Sequence, residues 1–588
     1  MIITSSQLET LLKNLQDVPS IRGIRKFSQI LYSVCHATDE VSEEEDSLPV
    51  LLDTADDHQT VIIFALTHLR HIFDTLLSTT TDHTSSPKWP TLQRPIKLII
   101  ASITHFIASL TNLGNSDIIN IVLLGASTLS PFFAQFPNLA KVAVASSLKL
   151  WTQEPDRKSS LEEQDQFNRS GASLPAFQFL SSLVKEFTSS SSEMAVKILR
   201  RSIEDYLSVA RFTSDSSQKF HKFLLDTLTD LFSSCPSQCT YPSLFYCIRE
   251  AARVLRGAVI SRKNHGKAVV GKDKFYSKGK KLTQSDLRQK ALSATQFARL
   301  RFLTRIVGEL VSKNLDVSNN PGDFALLLQP IFSILNGTAS IANSPSTFPA
   351  RLLAVELIID LSIKTDTYCH VISLLTPIIE SPSITGKLSP TPKNSNFVNV
   401  ELTLKASEGM VGTLLLAQPV LEKTTNLIKK FAYFYRSNPS FPELLFAVIS
   451  SGKLALKTAN RALFSGISDL IDELTVNVGY IRKNRSLIDF PMTSEDSLKK
   501  FIDSEAEKCP LGKVLQVKRI KNESQEVKIE SQKSRKSREN DVKKPRLTIT
   551  DIEVNVNSNK EKEPSIQEEQ VRDLVLSSDE DCYVSDSE

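Results

Sequence analysis

The sequence predicts an all-α chain of the HEAT/armadillo-like α-solenoid kind, on three observations. Glycine is scarce, with 18 in 588 residues, so tight turns and glycine-rich ligand loops are few. Apolar residues recur three or four apart over windows of about 15 residues, the helical period, and do not alternate as in strands. Short breaks containing Pro, Asn or Ser separate these windows pair after pair, as they do where helix pairs stack into a solenoid. No strict repeat of forty-odd residues underlies the pattern.

In chain order, residues 1–38 hold one or two amphipathic helices, ended by the acidic run Ser42–Asp46. Leu51–Leu77 is a longer helix with Val61, Phe64, Ala65, Leu69, Ile72 and Phe73 on one face. A Thr/Ser/Pro-rich break at Ser78–Pro95 precedes helices at Ile96–Leu113, Ser116–Phe133 and Leu139–Trp151. Gln153–Pro175 (153–175) is a polar, charged insertion. Helices resume at Ala176–Phe187, Glu193–Val209, Lys219–Ser233 and Pro242–Val259. Beyond a basic loop at 260–290 they continue at Thr295–Leu315, Asp323–Leu335, Pro349–Lys364 and His370–Ile379. In the first of these, Phe297, Leu300, Leu303, Val307 and Leu310 form one buried stripe, leaving Arg299, Arg301 and Arg305 for water. A Ser/Pro/Lys loop at Ser381–Ser395 leads into the β-branched run Phe397–Leu404, a candidate extended segment. Helices at Gly409–Leu416, Leu421–Tyr435 and on to Tyr480 close the folded part, with Pro510-Leu511-Gly512 as its stop.

The expected division is a helical-repeat scaffold over 1–520 and a disordered tail over 521–588. In the tail Lys, Glu, Ser, Asn and Gln dominate and aromatics almost vanish, so no core offsets the ordering entropy. Its charge is split, basic first and acidic at the end, and the chain's formal charge of +4 conceals that segregation. Seven dispersed cysteines and the lack of a secretory apolar run at the N-terminus predict reduced thiols in the cytosol or nucleus. No apolar run reaches the ~18 residues of a membrane helix, so no membrane partner is expected.

The strongest physical signal for function is the basic segment from Arg253 to Lys290. It carries Arg253, Arg256, Arg262, Lys263, Lys267, Lys272, Lys274, Lys278, Lys280, Lys281, Arg288 and Lys290 against Asp273 and Asp286 alone. Flexible glycines and the pair Phe275-Tyr276 between the lysines suit a phosphate backbone with occasional base stacking. An RNA is the leading partner; an acidic protein patch and a merely solvated loop are the alternatives. Arg262, Lys263, Lys267, Lys272, Lys274, Lys278, Lys280 and Lys281 are the candidate contacts.

Within that segment, Gly266 to Asp273 falls one residue short of a phosphate-binding loop. The motif needs Ser or Thr after the lysine to hold magnesium, and Asp273 would face the phosphates with a negative charge. No nucleotide cofactor is expected. Cys235, Cys239 and Cys247 near His221 lack a fourth ligand at metal spacing, so buried thiols are expected in place of a zinc site. His68 and His71 have no carboxylate at matching spacing, and no catalytic constellation stands out. The chain reads as neither an enzyme nor a binder of a small-molecule substrate. In the tail, Lys533, Arg535, Lys536 and Arg538, then Lys543, Lys544 and Arg546, form two basic clusters of the nuclear-import kind, implying importin as a partner. Ser577, Ser578, Ser585 and Ser587 precede or flank acidic residues and are candidate phosphorylation sites.

Several blocks resemble the nucleolar complex protein 2 family of ribosome-biogenesis factors. The clearest is Phe441-Pro442-Glu443-Leu444 with Lys453, Lys457, Asn460, Phe464, Ile467 and Leu470, then Ile481, Arg485, Asp489-Phe490 and Pro510-Leu511-Gly512. Phe348-Pro349-x-Arg351 with Leu357, Leu361 and Thr367-Tyr368 is similar to a helix pair of that family. Ile248-Arg249 with Leu255-Arg256, and Leu148-Lys149-Leu150-Trp151, match further helices. The anchors are sparse and span most of 1–520. The family's long charged N-terminal extension has no counterpart here, and a charged C-terminal segment stands instead.

The resemblance implies a nuclear, nucleolar and in part nucleoplasmic scaffold without catalysis. It would bind sibling nucleolar complex proteins and pre-rRNA, and accompany large (60S) subunit precursors through assembly and intranuclear transport. A nuclear transport receptor or adaptor on the same solenoid, and a chromatin-associated transcription regulator, are the alternative expectations.

Overall fold

The computed structural model describes residues 2–514 apart from 38–50, 53, 79–82, 111–115, 155–171, 212–213, 264–283, 319–321, 391–395, 459–462, 489–490 and 492–493. The expected tail, 521–588, lies outside the described residues. The helices are α1 (Ser5–Asp17), α2 (Ile21–Cys35), α3 (Ala55–Leu77), α4 (Trp89–Leu110), α5 (Ser116–Thr128), α6 (Ser130–Ala134) and α7 (Pro137–Thr152). They continue as α8 (Ser173–Ser190), α9 (Ser192–Ala210), α10 (Gln218–Ser234), α11 (Ser237–Lys263), α12 (Gln284–Ala291), α13 (Ala294–Ser318) and α14 (Leu328–Ile341). The last are α15 (Phe348–Thr365), α16 (Ile372–Ile379), α17 (Pro382–Thr385), α18 (Leu414–Phe434), α19 (Phe441–Thr458), α20 (Ser465–Arg485) and α21 (Glu495–Glu505).

The fold is all-α and solenoid-like, as the helical period predicts. Each helix covers its apolar face with helices a few places away in the chain: α2 on α4, α4 on α7, α5 on α8, α9 on α11 and α13, α13 on α15, α15 on α18, α18 on α20. Such short-range stacking gives one continuous core built from helices. Trp151 illustrates a join between neighbouring pairs. It is 1 % exposed and its indole donates to Thr227 Oγ1 of α10 at 3.2 Å.

The structure corrects the expected elements in four places, each for a physical reason. Prolines read as boundaries sit inside helices: Pro95 in α4, Pro242 in α11 and Pro419 in α18. In α4 the buried series Trp89, Leu92, Ile96, Ile99, Ile103 and Ile107 runs straight through Pro95, so burial outweighs the hydrogen bond that proline removes. Leu51-Leu52 is not helical. It pairs in parallel with Ile2-Ile3, and Thr54 Oγ1 caps α3 by accepting from Asp57 N at 3.2 Å.

The run Phe397–Leu404 forms no strand. Asn399 Oδ1 accepts the Glu401 amide at 3.0 Å, a side-chain turn that folds the backbone back, while Val398 and Val400 are buried. Gly512 does not end the fold, because residues 510–514 are a further helical turn. A Cβ there would lie 2.2 Å from Ala506 O, so this glycine serves a close backbone approach.

The C-terminal block is a packed and hydrogen-bonded closure. Phe441 and Phe464 are fully buried. Asn477, also fully buried, donates to Arg436 O at 2.9 Å and accepts from Leu511 N at 3.3 Å. Arg485 reaches back to Glu443 at 2.8 Å and to Pro439 O at 3.2 Å.

Helix crossings set two stability predictions. A Cβ at Gly125 of α5 would meet Leu66 Cβ of α3 at 2.5 Å. Gly125→Val is therefore expected to destabilise by about 1–3 kcal/mol, read as a lower thermal midpoint by circular dichroism. Gly479 in α20 has nothing within 4 Å of its Cβ position, and Gly479→Ala should stabilise by about 0.5–1 kcal/mol in the same measurement.

Candidate nucleic-acid interface

The basic segment grows out of a helical hairpin. Helix α11 buries Leu244, Cys247, Ile248, Ala251 and Ala258, and turns Arg249, Arg253 and Arg256 to solvent. Those arginines stand at i, i+4 and i+7, one face of a helix. α12 folds back on α11, so that Leu287 Cδ2 lies 3.8 Å from the Cβ position of Gly257. It adds Arg288 and Lys290 in its last turn, where cations complement the helix C-terminus. Arg253 meets Glu250 at 3.5 Å. Among the described residues Arg249, Arg256, Arg288 and Lys290 have no acidic partner. The hairpin therefore presents five exposed cations, and its two helices carry two carboxylates, Glu250 and Asp286.

The ground under this face is polar but tied down. Gln296 Nε2 of α13 donates to Ala251 O at 3.2 Å, and Arg299 donates to Gln296 Oε1 at 3.0 Å. The Arg200 guanidinium of α9 lies 4.9 Å from the Tyr246 ring centroid, a cation–π contact. Arg301 donates to Glu401 O at 3.4 Å, and Arg305 pairs with Asp226 at 3.2 Å. Arg301 and Arg305 thus reach other segments, and Arg299 bonds within α13, in place of a free solvated row. The expected stripe of Phe297, Leu300, Leu303, Val307 and Leu310 is buried, and Phe302, Ile306 and Val311 are buried with it.

Beside the basic face, α14 crosses α11 closely. A Cβ at Gly337 would stand 2.6 Å from Leu255 Cδ2, the tip of the side chain that packs on this glycine. Just beyond it lies a cleft of about 200 Å³ lined by Ala258, Val259, Arg288, Gly337, Ser340, Ile341 and Asn343. Its α14 wall is contributed from about fifty residues further along the chain than Arg288, and no local pattern announces it.

Of the sequence-predicted contacts, Arg262 and Lys263 close α11. Lys267, Lys272, Lys274, Lys278, Lys280 and Lys281 lie outside the described residues, as does the near phosphate-binding loop. The import clusters (Lys533, Arg535, Lys536, Arg538, Lys543, Lys544 and Arg546) and the phosphorylation candidates Ser577, Ser578, Ser585 and Ser587 lie there too.

The cysteine cluster is part of the core. Cys239 and Cys247 are buried. Burial pushes the Cys247 thiol up to about 12 and that of Cys235 to about 11, which keeps both protonated and poor metal ligands. Burial likewise lowers His221 and holds it neutral. Arg351, from the Phe348-Pro349 block, is 7 % exposed and burial lowers its basicity.

Comparison with known proteins matches residues 193–518 to the model of the Noc2p family. An uncharacterized NOC2 family protein of Schizosaccharomyces pombe is 20% identical over 96% of this chain and 75% of its own length. Nucleolar complex protein 2 of Drosophila melanogaster is 21% identical over 48% of this chain, and the match spans only 32% of that relative. Protein REBELOTE of Arabidopsis thaliana is 20% identical over 76% of this chain and 67% of its own.

Thiol labelling checks the buried cysteines. At pH 8 a thiol with a pKa near 12, as burial gives Cys35 and Cys247, is thiolate in only about one molecule in ten thousand. Iodoacetamide should leave both unmodified in the native protein and alkylate both in guanidinium, as mapped by peptide mass spectrometry. Rapid native labelling would show that this part of the core opens.

Proposed function

The chain belongs to the Noc2p family, and from that membership we propose that it is a nucleolar scaffold for assembly of the large ribosomal subunit. The family match over 193–518 carries this reading. The solenoid offers helix surfaces to sibling nucleolar complex proteins. The basic segment and the α11–α12 face contact pre-rRNA, and the particle is accompanied through intranuclear transport. No step of this role requires catalysis or a cofactor: the chain works by holding partners in position. Importin reads the basic clusters at 533–546, and phosphorylation at Ser577, Ser578, Ser585 and Ser587 deepens the acidity of the terminal segment.

The electrostatics of the hairpin support the RNA part of this proposal. Arg249, Arg253 and Arg256 on one face, with Arg288 and Lys290 beside them, neutralise phosphates at helical spacing, and the lysines of 264–283 extend the same charge. Contacts of this type set affinity and its dependence on salt, not sequence choice.

Two measurements test the role. On a sucrose gradient the tagged protein should sediment with particles containing large-subunit precursor RNA; its absence from them overturns the scaffold reading. Neutralising Lys272, Lys274, Lys280 and Lys281 to Gln should weaken ultraviolet crosslinking to that RNA. The salt dependence of binding should then flatten by about 0.7 in log–log slope for each single-strand phosphate that is no longer neutralised. Unchanged crosslinking would assign the segment to an acidic protein partner.

A further inference from the structure

The cleft between α11, α12 and α14 has a size and chemistry that the phosphate contacts leave unused. We infer that it holds a single unpaired nucleobase of the RNA that the basic face binds, an inference that rests on the RNA reading above.

Size comes first. About 200 Å³ is several times the ~30 Å³ share of one water molecule and below the ~300–1,000 Å³ of sites for drug-sized ligands. One flat ring system fits that range. The floor is apolar: Ala258 is 1 % exposed, and Gly337 brings the two helices together beside it. Val259 and Ile341 form aliphatic walls. Val259 is 41 % exposed, a branched apolar side chain left partly in water beside a row of arginines.

The polar groups at the rim are those that read a base. The Asn343 side-chain amide makes no hydrogen bond among the described residues, so its donor and its acceptor are both available. Ser340 Oγ donates to Asn336 O at 2.8 Å and keeps its lone pairs to accept. Arg288 has no acidic partner among the described residues, and a guanidinium plane is a stacking surface for an unpaired base. The C-terminal end of α14 at Ile341 brings partial negative charge to one side of the cleft. That disfavours a phosphate or a carboxylate seated inside and favours a neutral ring bearing N–H donors. The two parts divide the work: the arginine row takes the backbone, and the cleft takes a splayed base, as in recognition of single-stranded loops and bulges.

The test compares binding of the full chain, by fluorescence anisotropy, to a short single-stranded RNA and to the same strand with abasic residues throughout. The wild type should bind the base-bearing strand about tenfold more tightly, the scale of one stacked base. Ser340→Leu and Asn343→Leu fill the cleft from its solvent-facing rim, and their folding is checked by thermal melting. Each should abolish that advantage on the base-bearing strand and leave abasic binding unchanged. Independently, 4-thiouridine in the wild-type complex should crosslink to peptides containing Val259 or residues 337–343, which needs no variant to fold. Equal affinity for both strands, or a base preference that survives both variants, overturns the pocket and leaves the phosphate contacts standing. No binding of either strand overturns the pocket and the RNA reading together.

Discussion

Helix α15 is the piece on which the stacking depends. Apart from the strip of Glu356, Asp360 and Lys364 it is apolar, with Phe348, Leu352, Val355, Ile358, Ile359 and Leu361 all buried, so no single neighbour can cover it. α13, α14 and α18 pack around it. Charged pairs then fix the register at its rim: Lys423 with Glu356 at 2.7 Å, Lys430 with Asp360, and Lys364 with Glu309 of α13 at 3.7 Å. The pairs are partly exposed, so they choose alignment more than they add stability. The apolar surface supplies the free energy, at roughly 25 cal/mol per Å² removed from water.

A helix buried on all but one strip forces its neighbours into fixed positions, and this is how the core reaches the basic face. α14 packs on α15 and on α11 at once. Its position is therefore set from both flanks, and Gly337 allows the approach that places Ser340, Ile341 and Asn343 beside Val259. Shifting α15 would shift α14 and close or widen the cleft. The arginines of α11 are held from the other side, where Gln296 bonds Ala251 O and Cys247 fills the core. Of the three helices that build this surface, α11 and α14 are each held by more than one partner, and α12 packs on α11.

Much of the fold was legible in the sequence because the helical period is a local signal. Val61, Phe64, Ala65, Leu69, Ile72 and Phe73 form the buried face of α3 as their spacing predicts. The failures were also physical. Proline removes one hydrogen bond, a local cost of a few kcal/mol, whereas a continuous buried stripe recovers more through packing that no window of sequence displays. Hence the limits that the sequence pattern sets at Pro95 and Pro242, and the gap it leaves between Leu416 and Leu421, fall inside helices. The spacing of Arg299, Arg301 and Arg305 suits a solvated row, since Glu401 and Asp226 approach Arg301 and Arg305 only in three dimensions. Of the candidate site, the Arg253 and Arg256 charges were visible beforehand. The α14 wall was not, because its residues are ordinary polar and aliphatic types on a helix end.

The residues that identify the chain and those that bear its proposed work obey different constraints. Asn477 must satisfy two backbone groups in a sealed core, and Gly512 must let Ala506 O approach within a distance no side chain permits. Phe441 must fill a volume with no exposure to solvent. Phe441 and Gly512 stand out in the block that resembles the family while serving the core, and Asn477 meets the same kind of demand without being one of the residues that carry the resemblance. A phosphate contact asks only for a positive charge within reach, and Lys or Arg at several neighbouring positions meets that demand. The cleft falls between these cases. Its floor is set where α14 packs on α11, but its rim needs only side chains that hydrogen-bond and stack. A contact surface of this kind carries its specificity in shape, which the core sets, and its affinity in charge, which the sequence can redistribute.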